Sequence, residues 1–258
     1  MDPQPGPMGG RHALVTGGGS GIGAAVARRL TADGARVTVL GRNESALAAV
    51  HAADHAAGYE VADVTDAGAL AAAFDRAAAA RGPVGILVNS AGAAESAAFA
   101  ATDRSLWDRM LALNLTAVYA ATQRALPGML AAGWGRVITI ASTAGLTGYP
   151  YVAAYVAAKH GAVGLMRALA RELATRGVTA NAVCPGYTET PMLEVSLADV
   201  ARRTGRTPEA IRAAFLAANP QRRFVMPDEV AAVVAFLCGP GSDAVTGQAI
   251  AVAGGEVM

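Results

Sequence analysis

Cysteine and long apolar runs are scarce in this sequence of 258 residues. The two cysteines, Cys184 and Cys238, lie in apolar stretches, which predicts buried, reduced thiols rather than disulfides. No spacing of candidate ligands indicates a metal site. No apolar run reaches the roughly 18 residues of a membrane-spanning helix, and the start lacks a signal-peptide pattern. We therefore expect a cytoplasmic protein without a metal or a membrane association.

Charged residues are also few. They make up 16% of the chain and leave a formal net charge of +1, which argues against nucleic acid as a partner. Hydrophobic residues make up 53%, enough for a sizeable core. The length suits one large α/β domain or two small ones, and no linker divides it. We expect a flexible, Pro/Gly-rich tail at residues 1–10 and one folded domain at residues 11–258.

Lysine is nearly absent. Of 21 basic residues, Lys159 is the only lysine and the others are arginines. Arginine carries a planar fork, whereas lysine is a compact ammonium on a flexible stem. A site that needs the compact charge would resist replacement by arginine, although survival of one lysine by chance explains the count equally well.

Short apolar segments alternate with helical patterns along the whole chain. Strands this apolar are typical of a parallel sheet that is buried on both faces. Repeated β-α-β units then predict an α/β fold, a doubly wound Rossmann-type sheet flanked by helices on both faces. The predicted strands are 11–16, 35–40, 60–63, 84–89, 136–141, 178–184 and 248–252. The predicted helices are 22–32, one capped by Asn43, 66–81, 106–132 with a bend near Pro127, 151–176 and 227–237.

Ligands of such sheets bind beyond the carboxyl ends of the strands. A glycine-rich turn follows the first strand and opens directly into a helix, so backbone N–H groups and the positive helix end could bind a pyrophosphate. The spacing G-x-x-x-G-x-G differs from the usual dinucleotide fingerprint, and a merely tight turn is the alternative. The candidate phosphate-binding residues are Gly17, Gly19, Ser20, Gly21, Ile22 and Gly23.

Arg42 follows the second strand, where an acidic residue would favour NAD and an arginine can pair the 2′-phosphate of NADP. We therefore predict NADP, with NAD possible if Arg42 is only a solvated surface residue. After the third strand, Asp63 and Val64 could contact the adenine, or Asp63 could cap the next helix. After the fourth, Asn89, Ala91 and Gly92 form a small-residue corner that could hold a ring or ribose.

Ser142 comes directly after the fifth strand, and Tyr155 and Lys159 follow on a predicted helix. Positions four apart share a helix face, so the phenol and ammonium should lie side by side. A nearby cation would lower the pKa of Tyr155 and make it a usable general acid or base. A packed tyrosine with a snorkelling lysine is the alternative. The turn after the sixth strand offers further candidates for a nicotinamide, namely Pro185, Gly186, Thr188 and Thr190.

Together these features resemble the short-chain dehydrogenase/reductase family, and the resemblance spans residues 11–255. The residues that carry it are Thr16, Gly17, Gly21, Gly23, Asn89, Ala91, Gly92, Asn114, Ser142, Tyr155, Lys159, Pro185 and Gly186. Two positions depart from the family pattern: Ser90, where a second asparagine is usual, and Ala253, where aspartate is common.

The resemblance implies an NAD(P)-dependent oxidoreductase that interconverts a ketone and a secondary alcohol. Tyr155 would exchange a proton with the substrate oxygen and Ser142 would hold that oxygen. Lys159 would bind the nicotinamide ribose and lower the Tyr155 pKa. Asn114 would hold a water that links Lys159 to solvent; without the family it would be an asparagine that bends a helix.

Within the family, residues 181–192 are most similar to reductases of β-ketoacyl thioesters and polyketides. This similarity implies a bulky apolar ketone, and such ketones can be carried on coenzyme A or an acyl-carrier protein. The alternatives are an NAD-dependent secondary-alcohol or 3-hydroxyacyl-CoA dehydrogenase and a non-catalytic cofactor sensor. Residues 191–224 fall where relatives place a substrate lid, although a helix pair packed on the core would look the same. The family also implies a homotetramer or homodimer. Arginines near the lid, which could attract a carrier phosphate or form a solvated face, are Arg202, Arg203, Arg206, Arg222 and Arg223.

Overall fold

One parallel sheet forms the centre of the protein. The computed structural model describes residues 6–257, and within them seven strands pair in the order β3-β2-β1-β4-β5-β6-β7. Every pairing is parallel. The order reverses between β1 and β4, which leaves a crevice at that point of the sheet. The strands are β1 (His12–Thr16), β2 (Arg36–Gly41), β3 (Gly58–Val61), β4 (Ile86–Asn89), β5 (Gly135–Ile140), β6 (Val178–Pro185) and β7 (Ala249–Val252).

Helices cover both faces of the sheet. One core cluster includes residues of α1, α2 and α9, and a second includes residues of α3, α5 and α6. Strands β1, β4, β5 and β6 are buried throughout, as expected of strands covered on both faces. The predicted doubly wound fold is therefore confirmed. The helices are α1 (Gly21–Ala32), α2 (Glu44–Ala52), α3 (Ala67–Arg81), α4 (Arg104–Leu111), α5 (Ala117–Ala132), α6 (Ala153–Glu172), α7 (Pro191–Thr204), α8 (Pro208–Ala218) and α9 (Pro227–Cys238).

The segment for which a lid is predicted forms α7 and α8. Leu193, Leu197 and Ile211 are buried in a small cluster of their own together with Phe224, so these side chains pack the helix pair. Val195, in contrast, is 70% exposed. That the pair closes over a substrate stays a prediction.

Two sequence predictions need correction, and the bend near Pro127 stays a prediction. The long helical segment departs from α-helix at the π-helical turn Ala112–Thr116, and α5 runs through Pro127. Residues 6–10 of the expected loose tail are packed against the domain, because the Met8 side chain is 1% exposed and its backbone N–H donates to Asp33 O at 3.0 Å. Residues 1–5 lie outside the described residues.

Both cysteines are buried and free, as predicted. No helix within residues 6–257 is long and apolar enough to cross a bilayer. Over the same residues, no cluster of three or more histidine, cysteine, aspartate or glutamate side chains could hold a metal ion.

Candidate functional site

One threonine joins the two turns that border the crevice between β1 and β4. Thr16 ends β1, and its Oγ1 accepts hydrogen bonds from the backbone N–H groups of Ser90 and Ala91 at 3.1 and 3.2 Å. These contacts fix the corner after β4 against the turn after β1. The crevice is lined by Thr16, Val64, Asn89, Ala91, Leu113, Ala117 and Val118.

The glycine turn between β1 and α1 leaves no room for side chains. Gly17 has a φ of +66°, and a β-carbon there would lie 2.8 Å from the backbone N of Ala91. At Gly23 a β-carbon would lie 2.3 Å from Gly17 O. A clash with backbone atoms cannot be relieved by a side-chain rotation, so glycine is required at both positions.

The N-terminus of α1 is open to an anion. Ser20 is the N-cap, yet its side chain makes no capping hydrogen bond, and the first turn carries no acidic residue. Free N–H groups and the positive end of the helix dipole are therefore available. Ile22 packs against the core, so it can serve a ligand only through its backbone, like Gly19 and Gly21. This glycine-lined cradle fits the pyrophosphate of a dinucleotide.

Arg42 and Asp63, both predicted to contact the cofactor, lie next to one another. Arg42 Nη1 is 3.5 Å from Asp63 Oδ2, and the Arg42 side chain is 77% exposed. Asp63 Oδ1 accepts from the N–H and hydroxyl of Thr65 at 2.9 and 2.7 Å. These two bonds, and then Arg42, lower the pKa of Asp63. The alternative that Asp63 caps α3 is wrong, because the capping side chain is Asp66.

The Asn89 side chain points into the protein. It is 3% exposed, and its Nδ2 donates to the hydroxyls of Thr122 and Thr139 at 3.3 and 3.4 Å. Asn89 therefore ties β4 to α5 and β5. Any contact with a ligand must come from the backbone of the corner that Asn89 holds.

Ser142, Tyr155 and Lys159 come together beyond the end of β5. Ser142 follows the strand, and its Oγ accepts from Ala144 N at 3.1 Å. Tyr155 lies in the first turn of α6 and Lys159 one turn later. The ammonium lies 5.5 Å from the centroid of the Tyr155 ring and donates to Ile140 O at 2.8 Å. The predicted juxtaposition of phenol and ammonium is confirmed.

Burial dominates the titration of this pair. It raises the pKa of Tyr155, and the Ser142 hydroxyl opposes this shift. It also lowers the pKa of Lys159 to about 8. The expected lowering of the Tyr155 pKa by Lys159 is therefore wrong for this arrangement, because the ammonium lies over the ring and bonds to a backbone carbonyl while desolvation disfavours the phenolate.

Asn114 lies in the π-helical turn and is fully buried. Its Nδ2 donates to Ala93 O at 2.9 Å and to Met110 O at 3.1 Å. Its Oδ1 has no hydrogen-bond partner among residues 6–257. A β-carbon on Gly92 would lie 3.0 Å from this oxygen and 3.6 Å from Lys159 Nζ, so the three residues are neighbours. The distorted helix thus leaves an unpaired acceptor near the lysine, and π-turns are frequent at functional sites.

The turn after β6 completes the edge of the site. Thr188 Oγ1 donates to Gly186 O at 2.9 Å, and Thr190 caps α7 by accepting from Leu193 N. These hydroxyls therefore shape the turn that begins at Pro185. A β-carbon on Gly21 would lie 3.1 Å from Thr190 Cγ2, so the turn meets the start of α1. The predicted cofactor residues that follow β1 and β6 thus share one edge of the sheet.

Sequence reasoning missed Tyr149, Tyr187 and Glu256. The Tyr149 hydroxyl lies 2.5 Å from Glu256 Oε1, although 107 residues separate them. The Tyr187 ring stacks on Phe215 of α8 with 4.4 Å between centroids. Neither pair has a local motif, so only the fold brings these residues together.

The lid arginines are largely neutralised by acidic neighbours. Arg202 and Arg203 both pair with Asp199, and Arg223 pairs with Glu229. Arg203 also donates to Ser96 O at 2.6 Å, which joins α7 to the loop after β4. Within residues 6–257, Arg206 and Arg222 form no ion pair.

Comparison with known proteins gives a consistent result. Residues 11–201 match the family described as short chain dehydrogenase. The chain is 42% identical over 249 residues to a Streptomyces coelicolor protein assigned as a ketoacyl reductase, covering 94% of this chain and 95% of that protein. It is 39% identical over 255 residues to D-beta-hydroxybutyrate dehydrogenase of Cupriavidus necator, covering 97% and 99%.

A solved structure shares the whole fold. A variant of actinorhodin polyketide ketoreductase, solved with NADPH, superposes with a TM-score of 0.92 at 40% identity, covering 96% of this chain and 98% of that chain.

Proposed function

Because the chain belongs to the short-chain dehydrogenase family, we propose that it is an NADPH-dependent ketoreductase that acts on a bulky apolar β-keto substrate. The observation that carries the proposal is the convergence of Ser142, Tyr155 and Lys159 at the edge of the sheet where the N-terminus of α1 is free to bind an anion. The similarity to a ketoacyl reductase and to a polyketide ketoreductase solved with NADPH supports it.

NADPH, when bound, supplies the hydride. The chain holds the substrate oxygen with the Ser142 hydroxyl and gives it the proton of Tyr155. The phenol of Tyr155 is protonated at neutral pH, so it carries the proton that the reduction consumes. Lys159, with a pKa of about 8, can return a proton to the phenol, and the Asn114 oxygen near it can accept from a water that links the lysine to solvent.

The preference for NADPH rests on the end of β2. The residues there are Gly41-Arg42-Asn43, which offer a guanidinium and no carboxylate to the ribose 2′ position. Arg42 is exposed and paired only loosely with Asp63, so it can turn toward a phosphate.

The substrate surface is apolar and aromatic. Tyr187 and Phe215 stack between the turn after β6 and α8, a position from which a flat or bulky ketone can be contacted. We propose that α7 and α8 form the lid over this surface. The free arginines Arg206 and Arg222 would meet the phosphate of a coenzyme A or acyl-carrier-protein substrate.

We further propose a cytoplasmic homotetramer or homodimer. The support is a set of large apolar side chains exposed on two sides of the protein, including Phe99, Tyr119 on α5 and Phe236 on α9. Single-chain proteins rarely leave such residues uncovered in patches. Light scattering on the purified protein measures the mass, and a monomer would contradict this part of the proposal.

A second candidate is an NAD-dependent dehydrogenase of a secondary alcohol or 3-hydroxyacyl-CoA, favoured by the similarity to D-beta-hydroxybutyrate dehydrogenase. Tighter binding of NADH than NADPH would select it. A non-catalytic cofactor sensor is disfavoured, because Ser142, Tyr155 and Lys159 are all present and assembled.

The test is NADPH consumption with acetoacetyl-CoA and with a bicyclic ketone, in the wild type and in Tyr155→Phe. We expect the variant to lose about a hundredfold in kcat while it still binds NADPH, because only the general acid is removed. Tyr59→Phe, a tyrosine of β3 at the far edge of the sheet, is the matched control. A wild type that binds NADPH but reduces no ketone would refute the proposal.

A further inference from the structure

We propose that Tyr149 and Glu256 form a positioning pair that holds the Ser142 segment in register with the turn after β6. The inference rests on the proposed function, since it concerns the residue that would hold the substrate oxygen. Neither residue belongs to the group that Ser142, Tyr155 and Lys159 form.

The Tyr149 hydroxyl makes two hydrogen bonds, to Glu256 Oε1 at 2.5 Å and to Thr143 Oγ1 at 2.9 Å. A carboxylate only accepts, so the single phenolic proton goes to Glu256 and the Thr143 hydroxyl donates to the phenol oxygen. Thr143 directly follows Ser142 and begins the short 3₁₀ turn Thr143–Gly145. The pair therefore holds the segment that presents the Ser142 hydroxyl.

The other side of Glu256 faces the turn after β6. A β-carbon on Gly186 would lie 2.7 Å from Glu256 Oε2, so the carboxylate lies directly against this glycine. Oε2 is buried and has no hydrogen-bond partner among residues 6–257. One carboxylate thus contacts the segments after β5 and after β6, on which the substrate oxygen and the nicotinamide would be held.

The C-terminal turn that carries Glu256 is itself fixed by the end of the lid. The backbone N–H of Glu256 donates to Ala253 O at 3.1 Å, which closes the turn. A β-carbon on Gly254 would lie 2.2 Å from Asn219 Oδ1, and one on Gly255 would lie 3.4 Å from Pro220, so the turn packs against the residues after α8. Glu256 therefore lies where the lid end, the turn after β6 and the Ser142 segment meet.

The arrangement is unusual enough to need a role. Burial raises the pKa of Glu256, and burial and the carboxylate raise the pKa of Tyr149. The titratable groups that face the carboxylate are Tyr149 and Tyr187. A carboxylate placed among phenols with one oxygen unpaired is costly to the fold, so a positioning role accounts for its presence better than packing does.

Three variants test the proposal. Glu256→Leu removes the acceptor, Tyr149→Phe removes only the hydroxyl, and Glu256→Gln keeps a neutral acceptor of the same size. We expect the first two to lower kcat about tenfold, because the Ser142 hydroxyl shifts relative to the reacting carbon. We expect Glu256→Gln to stay within about threefold of wild type, because its amide oxygen still accepts from Tyr149. In all three, NADPH affinity and KM should change less than about twofold, since the glycine cradle is untouched.

Glu172→Leu, an exposed glutamate at the end of α6, is the control and should behave as wild type. Hydrogen exchange of residues 142–152 is measured in the same proteins and should quicken in Glu256→Leu and Tyr149→Phe only. This readout needs no substrate, so a wild type without ketone reduction would refute the proposed function and leave the positioning pair testable. Wild-type kcat and wild-type exchange in both variants would overturn the pair, as would a Gln variant as impaired as the Leu variant.

Discussion

The glycine turn after β1 and the cluster around Ser142 lie at the same edge of the sheet, but they are built differently. The turn is built from backbone atoms. Gly17 packs closely against the backbone of Ala91, and Gly23 packs closely against the backbone of Gly17. The groups that would bind a ligand are backbone N–H donors. The Ser142 cluster consists of side chains, and the segment that carries Ser142 is contacted by side chains from distant parts of the chain, such as the Tyr149–Glu256 pair, whose members are 107 residues apart. A backbone site tolerates no added atom, whereas a side-chain site can be adjusted one group at a time.

Gly23→Ala, in the glycine turn, should have the largest effect of the variants considered. A β-carbon there would lie 2.3 Å from Gly17 O, so the turn must move and its N–H donors lose their positions. We expect NADPH affinity to fall about a hundredfold and the free energy of unfolding to fall by about 1–3 kcal/mol. Fluorescence titration and urea denaturation measure the two quantities.

The matched control is Gly164→Ala on α6, where a β-carbon meets nothing within 4 Å. At this exposed helical position, the substitution should raise the free energy of unfolding by about 0.5–1 kcal/mol and leave NADPH affinity unchanged. Unchanged binding in Gly23→Ala would show that the turn is softer than its geometry indicates, and the contrast between the two halves would disappear.

Lys159→Met tests the side-chain half through stability. Burial lowers the pKa of Lys159 from 10.5 to about 8, so the folded state binds this proton less well than the unfolded state. The loss of folding stability from burying the protonated lysine is complete below about pH 8 and disappears as pH rises toward 10.5. We therefore expect Lys159→Met to be more stable than wild type at neutral pH by about 1–3 kcal/mol, with the difference shrinking at higher pH.

Urea denaturation of both proteins at neutral pH and near pH 10.5 measures that difference. Arg171→Met, an exposed cation on the same helix, should show no such pH dependence. A wild type that is the more stable protein at neutral pH would mean that the ammonium is better solvated than the 4% exposure of the residue indicates.

Arg42→Gln should have the smallest effect of these variants, and the effect should be confined to cofactor binding. We expect NADPH affinity to fall about tenfold and NADH affinity to stay the same, because only the 2′-phosphate contact is lost. Arg36→Gln, at the other end of β2, is the control and should affect neither cofactor. Equal losses for NADH and NADPH would remove Arg42 as the reason for a preference.

The same contrast explains what the sequence could predict. The residues of the glycine turn are adjacent along the chain, and Tyr155 and Lys159 are one helical turn apart. Spacing along the sequence is therefore sufficient to predict that these residues lie together. The Tyr149–Glu256 pair depends on β5, β6 and the C-terminal turn meeting in three dimensions, and no spacing reports that. The π-helical turn at Asn114 coincides with buried hydrogen bonds to Ala93 and Met110, which the sequence pattern does not report. The pKa of Tyr155 depends on desolvation, which only the packed structure determines.

The arginine-rich composition has a practical consequence for spectroscopy. Because Lys159 is the only lysine, reductive methylation with isotope-labelled formaldehyde can give one side-chain signal, and it comes from the centre of the site. Lys159 as a residue is 4% exposed, so the rate of labelling would report how often the crevice opens to solvent. Ligands that close the site would slow the labelling, and the protein thus contains its own reporter of access.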